Sequence, residues 1–207
     1  GKVEVEQTEE DEWTFEGMHS LMGMEGGCGD TGEASDTWEE LVEWAEHMEL
    51  MGEVPVLRTY SDGSQKGQGV AALATYAWVV RGLMGKEWGE ETLWGGGVVH
   101  GQPEDITSTR AEALGVLAAV MVLVQKGWRW KVVHRLDNQA VTRQEGKLER
   151  GSRLDWEGVR SLKECMKASD PDVWGELQAW AGRLGGGLEL VWHRGHPERR
   201  QSDWLKW

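Results

Sequence analysis

The spacing of apolar residues along the chain first predicts its helices. Apolar positions at helical spacing predict an amphipathic helix whose other face is acidic, an almost wholly apolar helix, and a third helix that begins with proline in its first turn. A capping box, Thr37-x-x-Glu40, marks the first start. The three helices are predicted over 37 to about 52, from the N-cap candidates at 107–109 to about 126, and from 171 to about 184, with shorter ones at 138–144 and 155–167.

β-favouring runs between these segments predict five strands. They cover residues 56–60, 70–81, 92–100, 130–136 and 188–193, with a glycine-containing turn at 63–69. The first three, joined by short turns, predict an antiparallel meander. The fourth follows a helical crossover and should run parallel to the strand before it. The order βββαβααβ therefore predicts an α/β fold with a mixed sheet.

Charge divides the chain into two parts. Residues 1–53 carry one basic and 17 acidic residues, net −16, whereas residues 54–207 carry 21 basic and 19 acidic residues, net +2. We expect residues 1–36 to be a mobile tail or linker, followed by one amphipathic helix that packs either on the next domain or on another part of a longer polypeptide. Residues 54–207 are then a domain that can contact nucleic acid, because the net acidity lies outside it.

Cysteine usage and hydropathy limit the class of protein. The two cysteines, Cys28 and Cys165, have no partners at zinc-site spacing, which excludes a disulfide framework and a structural zinc site. The longest apolar run, at 111–124, is too short for a bilayer, and no signal peptide is evident. We expect an intracellular protein, cytoplasmic or nuclear, with no membrane partner, cut from a longer polypeptide.

Three carboxylates fall on elements that can meet at one edge of the predicted sheet. Asp62 follows the first strand, Glu112 lies in the first turn of the apolar helix, and Asp137 ends the fourth strand. Each has a simpler reading: Asp62 as an Asx turn, Glu112 as the end of a capping box from Thr109, and Asp137 as a helix N-cap. Together they predict a site for Mg²⁺ or Mn²⁺, because hard cations prefer oxygen ligands and repelling carboxylates need compensation.

Four motifs at these positions resemble those of ribonuclease H, in the same order. The resemblance covers residues 54–207, about three quarters of the chain, and is closest to the ribonuclease H domain of retrotransposon reverse transcriptases. It implies a ribonuclease-H-like five-stranded mixed sheet flanked by helices, with an acidic N-terminal helical extension. The motifs are Tyr60-Ser-Asp62-Gly-Ser64, Ser108-Thr-Arg110-Ala-Glu112, Leu136-Asp137-Asn-Gln and Val191-Trp-His-Arg-Gly195-His196-Pro-Glu-Arg.

The resemblance also implies roles for individual residues. Asp62, Glu112 and Asp137 would hold two metal ions, and His196 would assist proton transfer and product release. The family's fourth acid normally stands in an Asn-x-x-Ala-Asp setting that is missing here; Asp203 is the candidate, with a plain surface role as the alternative. We expect the domain to be truncated at its C-terminal end.

Small, amide and basic side chains near the acids are candidate contacts for a nucleic acid. A hybrid duplex is bound through phosphates and 2′-hydroxyls across a shallow minor groove, which suits such residues. A solvated basic face is the alternative for the basic ones. The substrate-binding candidates are Gly63, Ser64, Arg110, Asn138, Gln139, Arg143 and Lys147.

The sequence therefore predicts an enzyme that cuts the RNA strand of RNA–DNA hybrids by two-metal-ion hydrolysis. We expect it to belong to a retroelement polyprotein, with other domains of that polyprotein as partners. The alternative is a catalytically inactive ribonuclease-H-like module that binds nucleic acid or serves as architecture. A strand transferase of the integrase type is disfavoured, because its acids come in the order Asp, Asp, Glu.

Overall fold

The computed structural model of the chain describes residues 32–33, 35–84, 92–137, 153–155 and 170–192. Within these ranges, seven strands form one sheet in the order β1-β4-β3-β2-β5-β7-β6. The strands are β1 (Gly32–Glu33), β2 (Val56–Lys66), β3 (Leu73–Leu83), β4 (Leu93–Val98), β5 (Lys131–Leu136), β6 (Arg153–Asp155) and β7 (Leu188–Trp192). The helices are α1 (Ser35–Leu50), α2 (Ser108–Gln125) and α3 (Pro171–Ala181), and a 3-10 turn covers Gly69–Ala71.

Five of the strands are those predicted from the sequence. The strands β2, β3 and β4 form the predicted antiparallel meander. The strand β5 runs parallel to β2, with which it pairs, and β7 runs parallel to β5. The predicted fold class, a ribonuclease-H-like five-stranded mixed sheet flanked by helices, is therefore confirmed.

Two short edge strands were not predicted. Gly32–Glu33, which we assigned to a mobile tail, pairs with Leu93 and Trp94 of β4. Arg153–Asp155, whose last residue we predicted to begin a helix, pairs antiparallel with β7. The rest of that helix, 156–167, and the helix predicted at 138–144 lie outside the described residues. Both edge strands are too short to show a periodic pattern in the sequence. They are strands because they pair with the neighbouring strand at each edge of the sheet.

The strand β2 is longer than its sequence pattern indicates. We predicted that it ends at Tyr60 and that a turn begins at Gly63, but it continues to Lys66. Asp62 pairs with Ala77 and Gly63 with Tyr76, so the hairpin continues past both residues. The Asx-turn interpretation of Asp62 is therefore wrong, because pairing with β3 overrides the local turn preference of Asp-Gly.

The helix α2 forms the centre of the hydrophobic core. Its N-cap is Thr107, whose hydroxyl accepts a 3.0 Å hydrogen bond from the Arg110 amide. A capping box requires the glutamate three residues after the N-cap, whereas Glu112 lies five residues after Thr107. The capping box predicted from Thr109 is therefore wrong. The helix is long and apolar enough to pass for a membrane span, but 78% of that window is buried against the sheet and α3. It is a core helix.

The acidic helix α1 packs on the domain, which is the first of the two alternatives predicted for it. It begins at Ser35, two residues before the predicted capping box. Trp38, Leu41 and Ala45 are buried in the main core cluster. The Trp38 ring lies 5.9 Å from Trp128, which in turn contacts Trp130 at 4.8 Å, centroid to centroid. This apolar face therefore attaches α1 to the sheet layer, and its glutamates face outward.

Candidate metal centre

Asp62, Glu112 and Asp137 meet in the structure as the sequence predicted. One carboxylate oxygen from each lies within 4.8 Å of the others. Asp62 is exposed, Asp137 is partly buried and Glu112 is buried. The three acids come from β2, the second turn of α2 and the residue after β5, so three separate elements build one site.

The parallel pairing of β2 and β5 explains why the two aspartates are neighbours. Its last partners are Tyr60 and Arg135, after which β5 ends at Leu136. Asp62 lies two residues beyond Tyr60, and Asp137 lies two residues beyond Arg135. Both acids therefore occupy equivalent positions just past the end of the ladder, where the backbones no longer pair.

Gly63 allows α2 to approach this point closely. A Cβ atom on Gly63 would lie 2.6 Å from the backbone nitrogen of Glu112, a distance that real Cβ atoms do not reach. The glycine does not have a positive φ, so it is needed for space and not for a turn. Gly115, about one turn after Glu112 on α2, similarly leaves room for Ser61. A Cβ atom added to Gly115 would lie 2.9 Å from the Cβ of Ser61.

Two hydrogen bonds fix the start of α2 to β2. The Gly63 amide donates to Glu112 Oε1 at 2.9 Å, and the Ser108 amide donates to Gln65 Oε1 at 3.2 Å. The first of these bonds holds the Glu112 carboxylate beside Asp62. The Asp62-Gly63 pair thus provides an acid, a backbone donor and the space for the second acid.

Burial and its acidic neighbours control the ionisation of Glu112. The pKa of the Glu112 carboxyl is raised from 4.5 to about 9, chiefly by burial; the Gly63 amide opposes the rise, and the Asp137 and Asp62 carboxylates contribute to it. Its second oxygen, Oε2, is buried and has no hydrogen-bond partner. A buried carboxylate oxygen without a partner is costly, and the Asp62 and Asp137 carboxylates beside Glu112 add to the cost of ionising it.

These features fit a divalent cation. The ligand set is entirely carboxylate oxygen, which suits Mg²⁺ or Mn²⁺. Neither Asp62 nor Glu112 forms an ion pair with a basic side chain within the described part of the chain. A cation would compensate the repulsion among the three acids and engage the unpartnered oxygen of Glu112.

The remaining predicted site residues are placed differently. Gly63 and Ser64 adjoin Asp62 on β2, and Ser64 is exposed. Arg110 is buried, and its guanidinium binds Asp172 at 2.6 and 3.0 Å and Asp170 at 3.2 Å, which favours a structural role over substrate contact. The residues that lie outside the described ranges are Asn138, Gln139, Arg143, Lys147, His196 and Asp203.

Sequence reasoning missed several residues that support the site. The position of Asp172 could have been recognised from the sequence, because an acid in the first turn after Pro171 complements the helix dipole. Asp170 carried a misleading signal, because it reads as an N-cap yet makes no capping bond and pairs with Arg110. Gln65 carried none, because only the three-dimensional structure places it beside Ser108.

No protein-family model and no curated protein sequence matches the chain. The similar solved structures include several that bear the name RNase H, of which three are described. LC9-RNase H1, a type 1 RNase H with the type 2 active-site motif, matches over 69% of this chain and 64% of its own, at 19% identity and a TM-score of 0.46. That match therefore spans less than two thirds of the LC9 chain.

The other two structures are matched over more of their length. RNase H1 from the halophilic archaeon Halobacterium salinarum NRC-1 is 18% identical over 73% of this chain and 98% of its own, with a TM-score of 0.42. LC11-RNase H1, solved in complex with an RNA/DNA hybrid, is 16% identical over 70% of this chain and 89% of its own, with a TM-score of 0.45.

Proposed function

We propose that this protein cuts the RNA strand of RNA–DNA hybrids by hydrolysis with two divalent ions, Mg²⁺ or Mn²⁺. The observation that carries the proposal is the convergence of Asp62, Glu112 and Asp137 within 4.8 Å, in the chain order that the resemblance to ribonuclease H requires. When bound, such ions activate water and stabilise the leaving oxygen of a phosphodiester. The substrate and the number of ions rest on the sequence resemblance.

The residues of this chain have distinct roles in the proposal. The three carboxylates hold the ions, and the Gly63 amide keeps the Glu112 carboxylate in place. Gly63 and Ser64 lie beside Asp62, at the position where a phosphate backbone would pass. His196 is proposed to assist proton transfer and product release, and Asp203 is the candidate fourth ligand. Asn138, Gln139, Arg143 and Lys147 are proposed to contact the duplex, with phosphate contacts that weaken with salt.

The cellular setting is a further part of the proposal. We propose an intracellular protein that acts as a domain of a retroelement polyprotein, as the form of the motif around His196 indicates. Other domains of that polyprotein would then be its partners.

The test is cleavage of a labelled RNA–DNA hybrid in Mg²⁺ or Mn²⁺ by the wild type and by Asp62→Asn and Asp137→Asn. We expect each variant to lose at least a hundredfold in rate, since each removes a charged ligand from the site. The matched control is Asp105→Asn, because the Asp105 carboxylate is not one of the three converging acids and makes an exposed bond to the Gln102 amide.

Binding without cutting would contradict the proposal. If the wild type binds the hybrid and does not cut it, and both site variants bind equally well, the protein is the inactive binding or architectural module. Equal cutting by the wild type and both variants would show that another site, or a contaminating nuclease, is responsible.

A further inference from the structure

A buried hydrogen-bonded network lies directly beneath the candidate metal centre. The ring of His134 on β5 bonds to two hydroxyls of β2, with 2.7 Å from Nδ1 to Thr59 Oγ1 and 2.8 Å from Nε2 to Ser61 Oγ. His134 and Thr59 are fully buried, and Ser61 is 8% exposed. The network therefore connects β2, which carries Asp62, to β5, which Asp137 directly follows.

The position of His134 would ordinarily suit an apolar residue. Its neighbours Val132 and Leu136 on the same strand are fully buried core residues. Burying an imidazole is costly unless both nitrogens are bonded. A neutral ring has one donor and one acceptor, and a hydroxyl can take either role, so Thr59 and Ser61 together satisfy the ring.

A nucleophilic role for the Ser61–His134 pair is excluded by access. Ser61 is buried beneath α2, where Gly115 leaves just enough room for its side chain. A substrate could not reach this hydroxyl without displacing the helix. The network therefore acts through what it holds in place.

The hydrogen bond between His134 and Ser61 connects β5 to β2 at a point where the two backbones no longer pair. Backbone pairing of β2 with β5 stops at Tyr60 and Arg135, so Thr59 lies within the ladder and Ser61 just beyond it. The bond from His134 to Ser61 thus extends the connection to the residue immediately before Asp62. Thr59, by contrast, is already held by the ladder, where it is the direct partner of His134.

We propose that His134 is a positioning residue. Through Ser61 it holds the part of β2 that carries Asp62 against β5, and so sets the distance between Asp62 and Asp137 at which the two carboxylates bind the cation. The inference rests on the proposed function for the identity of the ligand. The positioning itself concerns the protein alone, and it can be measured without a cation.

The test compares Ser61→Ala with Thr59→Val, because each removes one hydroxyl and leaves one ring nitrogen of His134 without its partner. His134→Leu removes both bonds. We expect Ser61→Ala and His134→Leu to weaken Mn²⁺ binding about tenfold by calorimetry, as loss of a supporting contact does at metal sites. Thr59→Val should bind Mn²⁺ nearly as the wild type does, whatever it costs in melting temperature.

The second measurement is hydrogen exchange of the Gly63 amide, the donor to Glu112, at saturating EDTA. Exchange should accelerate about tenfold in Ser61→Ala, on the scale of one lost net hydrogen bond, and change little in Thr59→Val. The amide of Leu57, inside the ladder, is the internal reference. This pair of variants decides the matter even where His134→Leu does not fold.

Two results would overturn the proposal. One is a loss of thermal stability in Ser61→Ala with wild-type Mn²⁺ affinity and wild-type Gly63 exchange, which would make the network plain core. The other is an equal acceleration of Gly63 exchange by Ser61→Ala and Thr59→Val. If the wild type itself binds no Mn²⁺, the proposed function fails, whereas Gly63 exchange still tests the positioning.

Discussion

Two groups of acids in opposite electrostatic situations lie at the first two turns of α2. Arg110 binds Asp170 and Asp172, whereas Glu112, two residues later, faces Asp62 and Asp137. Arg110 gives the first group a cation of its own, whereas Asp62 and Glu112 of the second form no ion pair with a basic side chain in the part of the chain that the structure describes. Acids that hold the fold together are thus distinguished from acids that can hold a ligand by the presence or absence of a built-in countercharge.

The pKa values reflect this difference. A hydrogen bond and ion pair with Arg110 lower the pKa of the Asp172 carboxyl. Burial raises the pKa of Asp170, against the opposing effect of Arg110. The pKa of Glu112 rises to about 9, because burial and two neighbouring acids act in the same direction. Asp172 therefore favours the charged form, whereas the raised pKa of Glu112 favours its protonated form at neutral pH.

The largest expected effect comes from Glu112→Gln. Because the folded pKa of Glu112 is raised from 4.5 to about 9, its contribution to stability is fully present below pH 4.5 and is lost as the pH rises through 9. Gln should remove this dependence and increase stability at pH 9, without divalent ions, on the order of several kcal/mol. Urea unfolding from pH 5 to 9 measures it.

Divalent ions provide the control for this prediction. Mn²⁺ should stabilise the wild type at pH 8 and release a proton, seen as a buffer-dependent binding enthalpy, and should affect Glu112→Gln far less. Parallel stability curves for the two proteins between pH 5 and 9 would show that Glu112 is not the titrating group.

The next largest effect is expected from Arg110→Met, which removes the built-in cation. It leaves Asp170, 13% exposed in its side chain, and the half-exposed Asp172 without their partner. We expect a loss of about 2 to 4 kcal/mol in the free energy of unfolding at pH 7, less than for a fully buried pair. Lowering the pH towards 3 should reduce the difference in the free energy of unfolding between Arg110→Met and the wild type, because protonated acids need no cation.

A smaller effect is expected from Gly63→Ala, which separates the elements that build the site. The added Cβ would meet backbone atoms of α2, so the strand or helix must move, at a cost of about 1 to 3 kcal/mol. Mn²⁺ affinity should fall as well. The control is Gly175→Ala on α3, where a Cβ meets nothing within 4 Å and helix propensity favours Ala by about 1 kcal/mol. Equal effects of the two substitutions would refute the close approach.

The smallest effect is expected from Arg129→Met, an exposed counterpart of Arg110. Arg129 binds Glu49 of α1 at 2.9 Å, with both side chains about half exposed. Such pairs contribute about 0.5 kcal/mol, so the free energy of unfolding in urea should barely differ between Arg129→Met and the wild type. In 1 M NaCl the remaining difference should disappear, because salt screens exposed ion pairs. A loss comparable to that of Arg110→Met would mean that burial does not separate the two pairs.

The sequence predicted the parts of this molecule that follow from local pattern. The five strands, the three long helices and the convergence of Asp62, Glu112 and Asp137 follow from periodicity and motif order. Asp62-Gly63 misled because its local preference is a turn, whereas pairing with β3 keeps it extended. What pattern could not show are contacts between distant residues, such as Ser61 with His134 and Arg110 with Asp172.

The parallel pairing of β2 with β5 also bears on how the protein folds. The β2–β3 hairpin closes locally, but Thr59 and His134 are 75 positions apart, so their pairing requires closure of a long loop. An intermediate with the hairpin alone would present Asp62 without Asp137. A cation held by these acids would then bind tightly only after β2 and β5 have paired, and would slow unfolding more than it speeds folding.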